Sequence, residues 1–260
     1  MNIETFFTDH WRDIEDERVA RYEQMFVWRD GQRALLAPAE IELGQRVLDV
    51  GCGPGFFAIA IADMVGEDGR VDGVDINARF VVDANERAAA LDNVRFHEVQ
   101  DHVLPFDDES FDRVICKNVL EYVPDLPAVL TECRRVLKSG GRIHIIDSDW
   151  GFVVVEPWNK ATVDAFFEAA APAFNEPYIG RRAPGLLAGV GFTDVGVKLS
   201  AFVDREGTGL NVLTNMASYI RAFGTLPEDR VARLLQDCRD GVENGTYLFC
   251  LPQFLVTASK

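Results

Sequence analysis

Val47-Leu48-Asp49-Val50-Gly51-Cys52-Gly53-Pro54-Gly55 decides the reading of this chain. A short apolar run ends in glycines spaced GxGxG, and the apolar stretch Phe56 to Val65 follows at once. The run reads as a strand buried on both faces, the glycines as a sharp turn, and the stretch after them as a helix. Glycine lets the backbone turn and approach a ligand where a Cβ would collide. The helix start adds free N–H groups and the positive end of the helix dipole. Dinucleotide sites prefer GxGxxG, with the third glycine one place later. Asp49 stands two residues ahead of the first glycine. A carboxylate there suits a ligand carrying ammonium or sulfonium charge and suits a pyrophosphate poorly.

Outward from the loop, strands and helices alternate. Val71 to Asp75 reads as a second strand, Ala78 to Leu91 as a helix, and Val94 to Val99 as a third strand. Arg113 to Cys116 is expected to be a fourth strand, Leu126 to Leu137 a helix, and Arg142 to Asp147 a fifth strand. Lys138-Ser139-Gly140-Gly141 between the last two reads as a helix stop, with glycine in the left-handed cap. The alternation predicts right-handed crossovers and a mostly parallel sheet covered on both faces, with ligands beyond the carboxyl ends of the strands at the switch point. Asp75 closes the second strand, where an acid accepts the hydroxyls of a nucleoside ribose.

The ends of the chain read differently. Trp11, Ile14, Val19, Tyr22, Met25 and Phe26 recur at helical spacing among charges, until Pro38 interrupts. Beyond residue 150 the pattern predicts helices over Trp158 to Phe174, Arg181 to Ala188, Leu210 to Phe223 and Glu228 to Val242. Phe192 to Val203 and Tyr247 to Ala258 read as strands.

The net charge of −16 repels phosphate backbones and anionic membranes, so nucleic-acid and membrane partners are disfavoured. Cys52, Cys116, Cys133, Cys238 and Cys250 form no CxxC pair, so neither a disulfide framework nor a metal site is expected. Met1 to Asp13 has no apolar core of a secretory leader, and no apolar run reaches membrane-spanning length. The expectation is a cytoplasmic protein, monomeric or homodimeric, acting on a small molecule.

Five stretches, in order, resemble the class I S-adenosylmethionine-dependent methyltransferases, of the branch that includes the ubiquinone/menaquinone C-methyltransferases. They are Val47 to Gly55, Val74-Asp75, Leu104 to Asp112, Val119 to Asp125 and Val136 to Arg142. Together they cover residues from about 40 to 150, and Gly189 to Phe192 with the final strand is similar to that family's carboxyl-terminal hairpin. The resemblance implies an α/β, Rossmann-like, doubly wound, mostly parallel seven-stranded sheet with a carboxyl-terminal antiparallel hairpin and a helical cap. It implies one methyltransferase domain over 1–260, with a helical cap in 1–40, the cofactor core in 41–150, and lid helices, hairpin strands and a late helical insertion in 151–260.

The same resemblance implies S-adenosyl-L-methionine as cofactor. Asp49 and the loop Gly51, Cys52, Gly53 and Gly55 would hold its methionine half, and Asp75 with Ile76 its ribose. Asp101, with His102 beside it, falls where the family's acid meets the adenine amino group, although the stretch to Leu104 is about one residue shorter than the family pattern. Asn118 would face the methionine moiety, and Ser139 replaces a common proline.

Methyl transfer from a sulfonium is an in-line displacement, so alignment matters more than any one catalytic group. The expected acceptor is an oxygen or nitrogen, or a carbon, of a small molecule. A phenol or enol needs a base, and His10, Tyr22, Glu121 and Asp149 are the candidates, with no metal. Trp11, Tyr122, Asp147, Ser148, Trp150, Arg181, Arg182, Tyr219 and Arg221 are further residues near the expected mouth. Each has a plainer structural role to set beside it, and His144, inside a strand, reads as a core histidine. Phe166, Phe167, Phe174, Phe202, Phe223, Phe249 and Phe254 form either an aromatic substrate pocket or ordinary core. Two rivals share the loop: a protein of the same fold using the cofactor for a cyclase or decarboxylase reaction, and a nicotinamide oxidoreductase. The GxGxG spacing and Leu104-Pro105-Phe106 count against the second.

Overall fold

A computed structural model describes residues 5–12, 14, 19, 27–100 and 102–260. Its centre is a seven-stranded sheet in the order β3-β2-β1-β4-β5-β9-β7. Strands β1 (Arg46–Val50), β2 (Arg70–Asp75), β3 (Val94–Glu98), β4 (Phe111–Lys117) and β5 (Leu137–Ser148) run parallel. β9 (Gln253–Ser259) then pairs antiparallel with β5 and with the edge strand β7 (Thr193–Ser200), which makes the carboxyl-terminal hairpin. A separate antiparallel pair joins β6 (Val154–Glu156) to β8 (Leu248–Cys250). The strand order reverses direction between β1 and β4, so their carboxyl ends splay apart and open a crevice.

The helices follow from capping and one-sided apolar faces. They are α1 (Phe6–Arg12), the single turn α2 (Arg33–Leu36), α3 (Phe56–Val65), α4 (Ala78–Arg87), α5 (Leu126–Val136), α6 (Lys160–Ala170), α7 (Ile179–Gly189), α8 (Leu210–Phe223) and α9 (Glu228–Asn244). Asn77, Asp125 and Asn159 each accept a backbone N–H of the first turn they precede, at α4, α5 and α6. One face of the sheet packs Val47, Val71 and Ile115 under α3 and α4, and the other packs Val114, Ile143 and Val256 under α5 and α7. Phe166, Leu213, Ile220, Val231 and Tyr247 form a third core inside α6, α8, α9 and the small sheet, and Phe6 of α1 belongs to it. Each large side chain fully buried there contributes about 1.5–3 kcal/mol.

Three boundaries differ from the sequence reading. Helix α5 ends at Val136 with Leu137 extended, and β5 begins there, so the glycine pair is not a helix cap. Gly140 takes φ +77 inside the extended segment, where the pairing slips from Phe111↔Leu137 to Arg113↔Arg142. The expected last strand, Tyr247 to Ala258, is two strands that join different sheets, because Pro252 has no N–H to continue a ladder. The leading segment contains α1 and the turns from Asp30 to Ala39, while Tyr22, Met25 and Phe26 lie outside the described residues.

Candidate functional site

The crevice at the switch point is a cavity of about 380 Å³, within the range of small-molecule sites. Its floor is the loop after β1. Gly51 and Cys52 both donate to the carbonyl of Val74, at 2.8 and 2.9 Å, which ties the loop to the end of β2. Gly51 sits at φ +70, and an added Cβ would run into the Val119 side chain. Gly53, at φ +51, has open space where its Cβ would be, so its bare backbone faces the cavity. Gly55, at φ +84, is the N-cap of α3.

Two carboxylates frame this loop. Asp75 accepts from Gly53 N at 2.8 Å and from Asn77 N at 2.9 Å, which locks the loop and leaves lone pairs toward the cavity. Burial pushes its pKa up, and the bonds from Asn77 and Gly53 pull it back. Asp49 is 2% exposed, and its Oδ2 is buried with no hydrogen-bond partner. Burial raises its pKa from 3.8 to about 7, with Lys117 opposing and Asp75 adding to the shift. Asn118, at φ 53, is held by its N–H on Ile146 O at 2.9 Å and likewise keeps a buried, unpartnered Oδ1. Buried polar atoms left without partners are rare. The two on Asp49 and Asn118 lie on residues lining the cavity, as expected of a site whose ligand completes the bonding.

The sequence-predicted residues Asp49, Gly51, Cys52, Gly53, Asp75, Ile76, His102 and Asn118 all line this cavity. Gly55 lies just behind the lining, at the start of α3, and Asp101 falls outside the described residues. Lys117, Gln100, Val99, Phe57 and Phe80 also line it and were not anticipated. Lys117 had a readable signal, since it is a lone cation ending the apolar run Val114-Ile115-Cys116.

Helix α1 covers the opening. Asn77 Nδ2 donates to Trp11 O at 2.7 Å, Arg12 to Gln100 O at 2.9 Å, and Thr8 Oγ1 to Tyr122 O at 3.1 Å. One short helix is thus fastened to the loops after β2, β3 and β4. Thr8, Trp11, Arg12 and Tyr122 contribute to the wall.

Three of the proposed bases, Glu121, Asp149 and His10, lie elsewhere. Glu121 is buried and accepts from Trp150 Nε1 at 2.8 Å. Asp149 is fully buried and takes both Arg181 nitrogens, at 2.5 and 2.6 Å. Neither lines the cavity. His10 is buried rather than on the surface, stacked on Phe6 and 3.3 Å from the Tyr219 hydroxyl, behind Trp11. Tyr22 lies outside the described residues. Arg182 pairs with Glu176, Arg221 with Glu228 on the surface, and His144 gives Nε2 to the carbonyl of Leu35 in the core. The phenylalanines flagged from the sequence do not make the pocket. Phe166, Phe167, Phe174 and Phe249 fill the third core with Phe223 packed against it, Phe254 lies on β9 in the core under α5 and α7, and Phe202 is 77% exposed. Among the described residues the aromatic rings on the cavity are Phe56, Phe57, Phe80, Trp11, Tyr122 and the imidazole of His102.

Residues 41–177 match the family model described as a methyltransferase domain. A demethylmenaquinone methyltransferase of Staphylococcus epidermidis is 30% identical over 160 residues, which is 62% of this chain and 64% of that protein. The match therefore spans less than two thirds of that relative's length. Among solved structures, the YcgJ protein of Bacillus subtilis superposes with a TM-score of 0.60 at 23% identity, covering 88% of this chain and 97% of that one. Phosphoethanolamine N-methyltransferase 2 of Haemonchus contortus, in complex with S-adenosylhomocysteine, gives 0.66 at 17% identity, covering 100% of this chain and 60% of that one. At these identities the two structures show a shared fold.

Proposed function

The chain belongs to the methyltransferase-domain family, and from that premise we propose that it binds S-adenosyl-L-methionine in the switch-point cavity and transfers its methyl group to a small molecule. The observation that carries the proposal is the pairing of Asp49 and Asp75 across an open Gly53. A buried carboxylate lacking a partner, a second one at ribose position, and bare backbone between them fit a nucleoside joined to a cationic amino acid. The donor set suits a pyrophosphate poorly, because two carboxylates repel it.

In this reading Asp49, Gly51, Cys52 and Gly53 hold the amino-acid half, with Asn118 offering its Oδ1. Asp75 and Ile76 hold the ribose, and His102 and Val99 border the base. The bound cofactor supplies a methyl carbon activated by its sulfonium. The protein contributes position and dryness: the loop fixes one end, and α1 excludes water from the other. With Glu121 and Asp149 committed to Trp150 and Arg181, no side-chain base is assigned. The acceptor enters as an amine, an enolate or an activated carbon, between Trp11, Tyr122 and Val123 on the apolar wall. A small acceptor also fits the net charge of −16, which repels nucleic acid. The protein acts in the cytoplasm, as a monomer or homodimer; no helix among the described residues is long and apolar enough to cross a membrane.

The test is a screen of small phenols, quinols and amines with methyl-labelled S-adenosylmethionine. Label appearing in product together with an equal amount of S-adenosylhomocysteine is the expected result. Conversion of an acceptor without S-adenosylhomocysteine would instead mean a reaction that uses the cofactor without spending its methyl group.

A further inference from the structure

Among the described residues Lys117 is the one cation on the β4 end of the cavity, and the reading above gives it no task. It is half-buried at the carboxyl end of β4, with its ammonium 5.7 Å from the centroid of the Phe57 ring. Lys117, Phe57 and Asp49 all line the cavity. In the β1–β4 register Asp49 stands beside Ile115, so Lys117, which ends β4, lies two residues beyond the partner of Asp49 at the switch point.

Burial pulls the Lys117 pKa below its ordinary value, and the charges of three acids, Asp147, Asp49 and Glu121, oppose that shift. Two of them are committed elsewhere. Asp147 accepts from Ser148 N at 2.9 Å and Leu120 N at 3.2 Å, and Glu121 accepts from Trp150. The third, Asp49, keeps Oδ2 unpartnered, and Lys117 forms no ion pair with any described residue. A half-buried cation and a buried anion thus face one cavity without forming an ion pair. Each offsets part of the other's desolvation through space, but with no hydrogen bond or ion pair between them the recovery is partial.

A ligand group carrying both charges on one carbon would repair this. We infer that Lys117 is the receptor for the α-carboxylate of the ligand's amino-acid end, opposite Asp49, which takes the α-ammonium. This rests on the cofactor reading above and assigns it a residue and a polarity. The arrangement selects a zwitterion. An isolated anion would meet Asp49 and Asp75, and an isolated cation would meet Lys117. Lysine serves here as a compact point charge, which needs no planar fork to hold one carboxylate oxygen.

The experiment is calorimetric titration of the full chain with three probes: S-adenosylhomocysteine, its decarboxylated amine, and 5′-methylthioadenosine, which lacks the amino-acid end. Wild type should prefer S-adenosylhomocysteine to the decarboxylated amine by roughly ten- to a hundredfold, the scale of a charged hydrogen bond. Lys117→Gln should lose that preference while binding 5′-methylthioadenosine within about twofold of wild type, and Lys117→Arg should restore part of it. Equal weakening of all three probes by Lys117→Gln would make the lysine a structural counter-ion and overturn the inference. So would a wild type that binds S-adenosylhomocysteine and the decarboxylated amine alike, with the cofactor reading left standing. A wild type that binds none of the three would overturn both.

Discussion

The side-chain amide of Asn77 donates to the main-chain carbonyl of Trp11 at 2.7 Å, while its carbonyl oxygen caps α4 by accepting from Phe80 N at 3.1 Å. One buried residue therefore joins the start of the helix after β2 to the helix that covers the cavity. The two jobs separate by substitution. Serine is as good an N-cap as asparagine, but it is too short to reach Trp11. Asn77→Ser should leave thermal stability nearly unchanged, weaken S-adenosylhomocysteine by about 0.5–1.5 kcal/mol, and speed amide exchange over residues 6–12. Unchanged exchange there would show that the bond does not hold α1 down.

Asp49 gives a pH signature. Its folded pKa of about 7 lies above the ordinary 3.8. The folded state therefore holds a proton that the unfolded state has lost across that window. The stability of the ligand-free protein should fall as pH rises from about 4 to 7 and level off above, by at most about 4 kcal/mol from this group. Asp147, also raised to about 7, adds to the same slope. Asp49→Asn should flatten part of the slope and stabilise the ligand-free protein at pH 8, as read by urea unfolding at pH 5 and pH 8. A ligand ammonium favours the ionised carboxylate, so S-adenosylhomocysteine affinity should rise as pH approaches 7, by up to about tenfold per unit. Affinity flat with pH would contradict a cation beside Asp49.

Gly53 and Gly51 should respond differently to the same change. Alanine at Gly53 meets no protein atom within 4 Å, so its cost to the fold is the left-handed backbone, about 1–2 kcal/mol. Its methyl group would stand in the cavity, and ligand affinity should drop steeply. Alanine at Gly51 collides with Val119 and should destabilise the fold itself. Parallel melting and binding measurements separate the two.

Asp149 and Glu121 should behave as structural residues. Asp149→Ala leaves Arg181 without its partner, and Glu121→Ala strands the Trp150 N–H, each costing about 1–3 kcal/mol. Affinity of the folded fraction for S-adenosylhomocysteine should stay within about twofold of wild type. A fall in turnover at unchanged stability would instead return either residue to the chemistry.

Much of this site was legible in the chain. Val47 to Gly55 placed β1, the loop and α3, and Asp75 fell at the end of β2, because buried parallel strands and glycine turns write themselves locally. Residues whose roles depend on distant partners were not legible. Nothing near Asp149 in sequence announces Arg181, and nothing near Glu121 announces Trp150. Lysine-serine-glycine-glycine at 138–141 reads as a stop, yet the chain stays extended there: Gly140 donates to Lys260 O and Lys260 to Gly141 O, bonds made by a residue distant in sequence. Most of the phenylalanines flagged after residue 150, Phe166, Phe167, Phe174, Phe223 and Phe249, belong to the third core rather than a pocket, because ring content alone does not tell a wall from a filling.

The account stands most directly on calorimetric titration of S-adenosylhomocysteine into wild type and Asp75→Ala. It predicts saturable binding to one site in wild type, weakened in the variant by about 1–3 kcal/mol as the ribose hydroxyls and Gly53 N lose their acceptor. Absence of binding in wild type, or equal affinity in the two proteins, would contradict the cavity as the cofactor site.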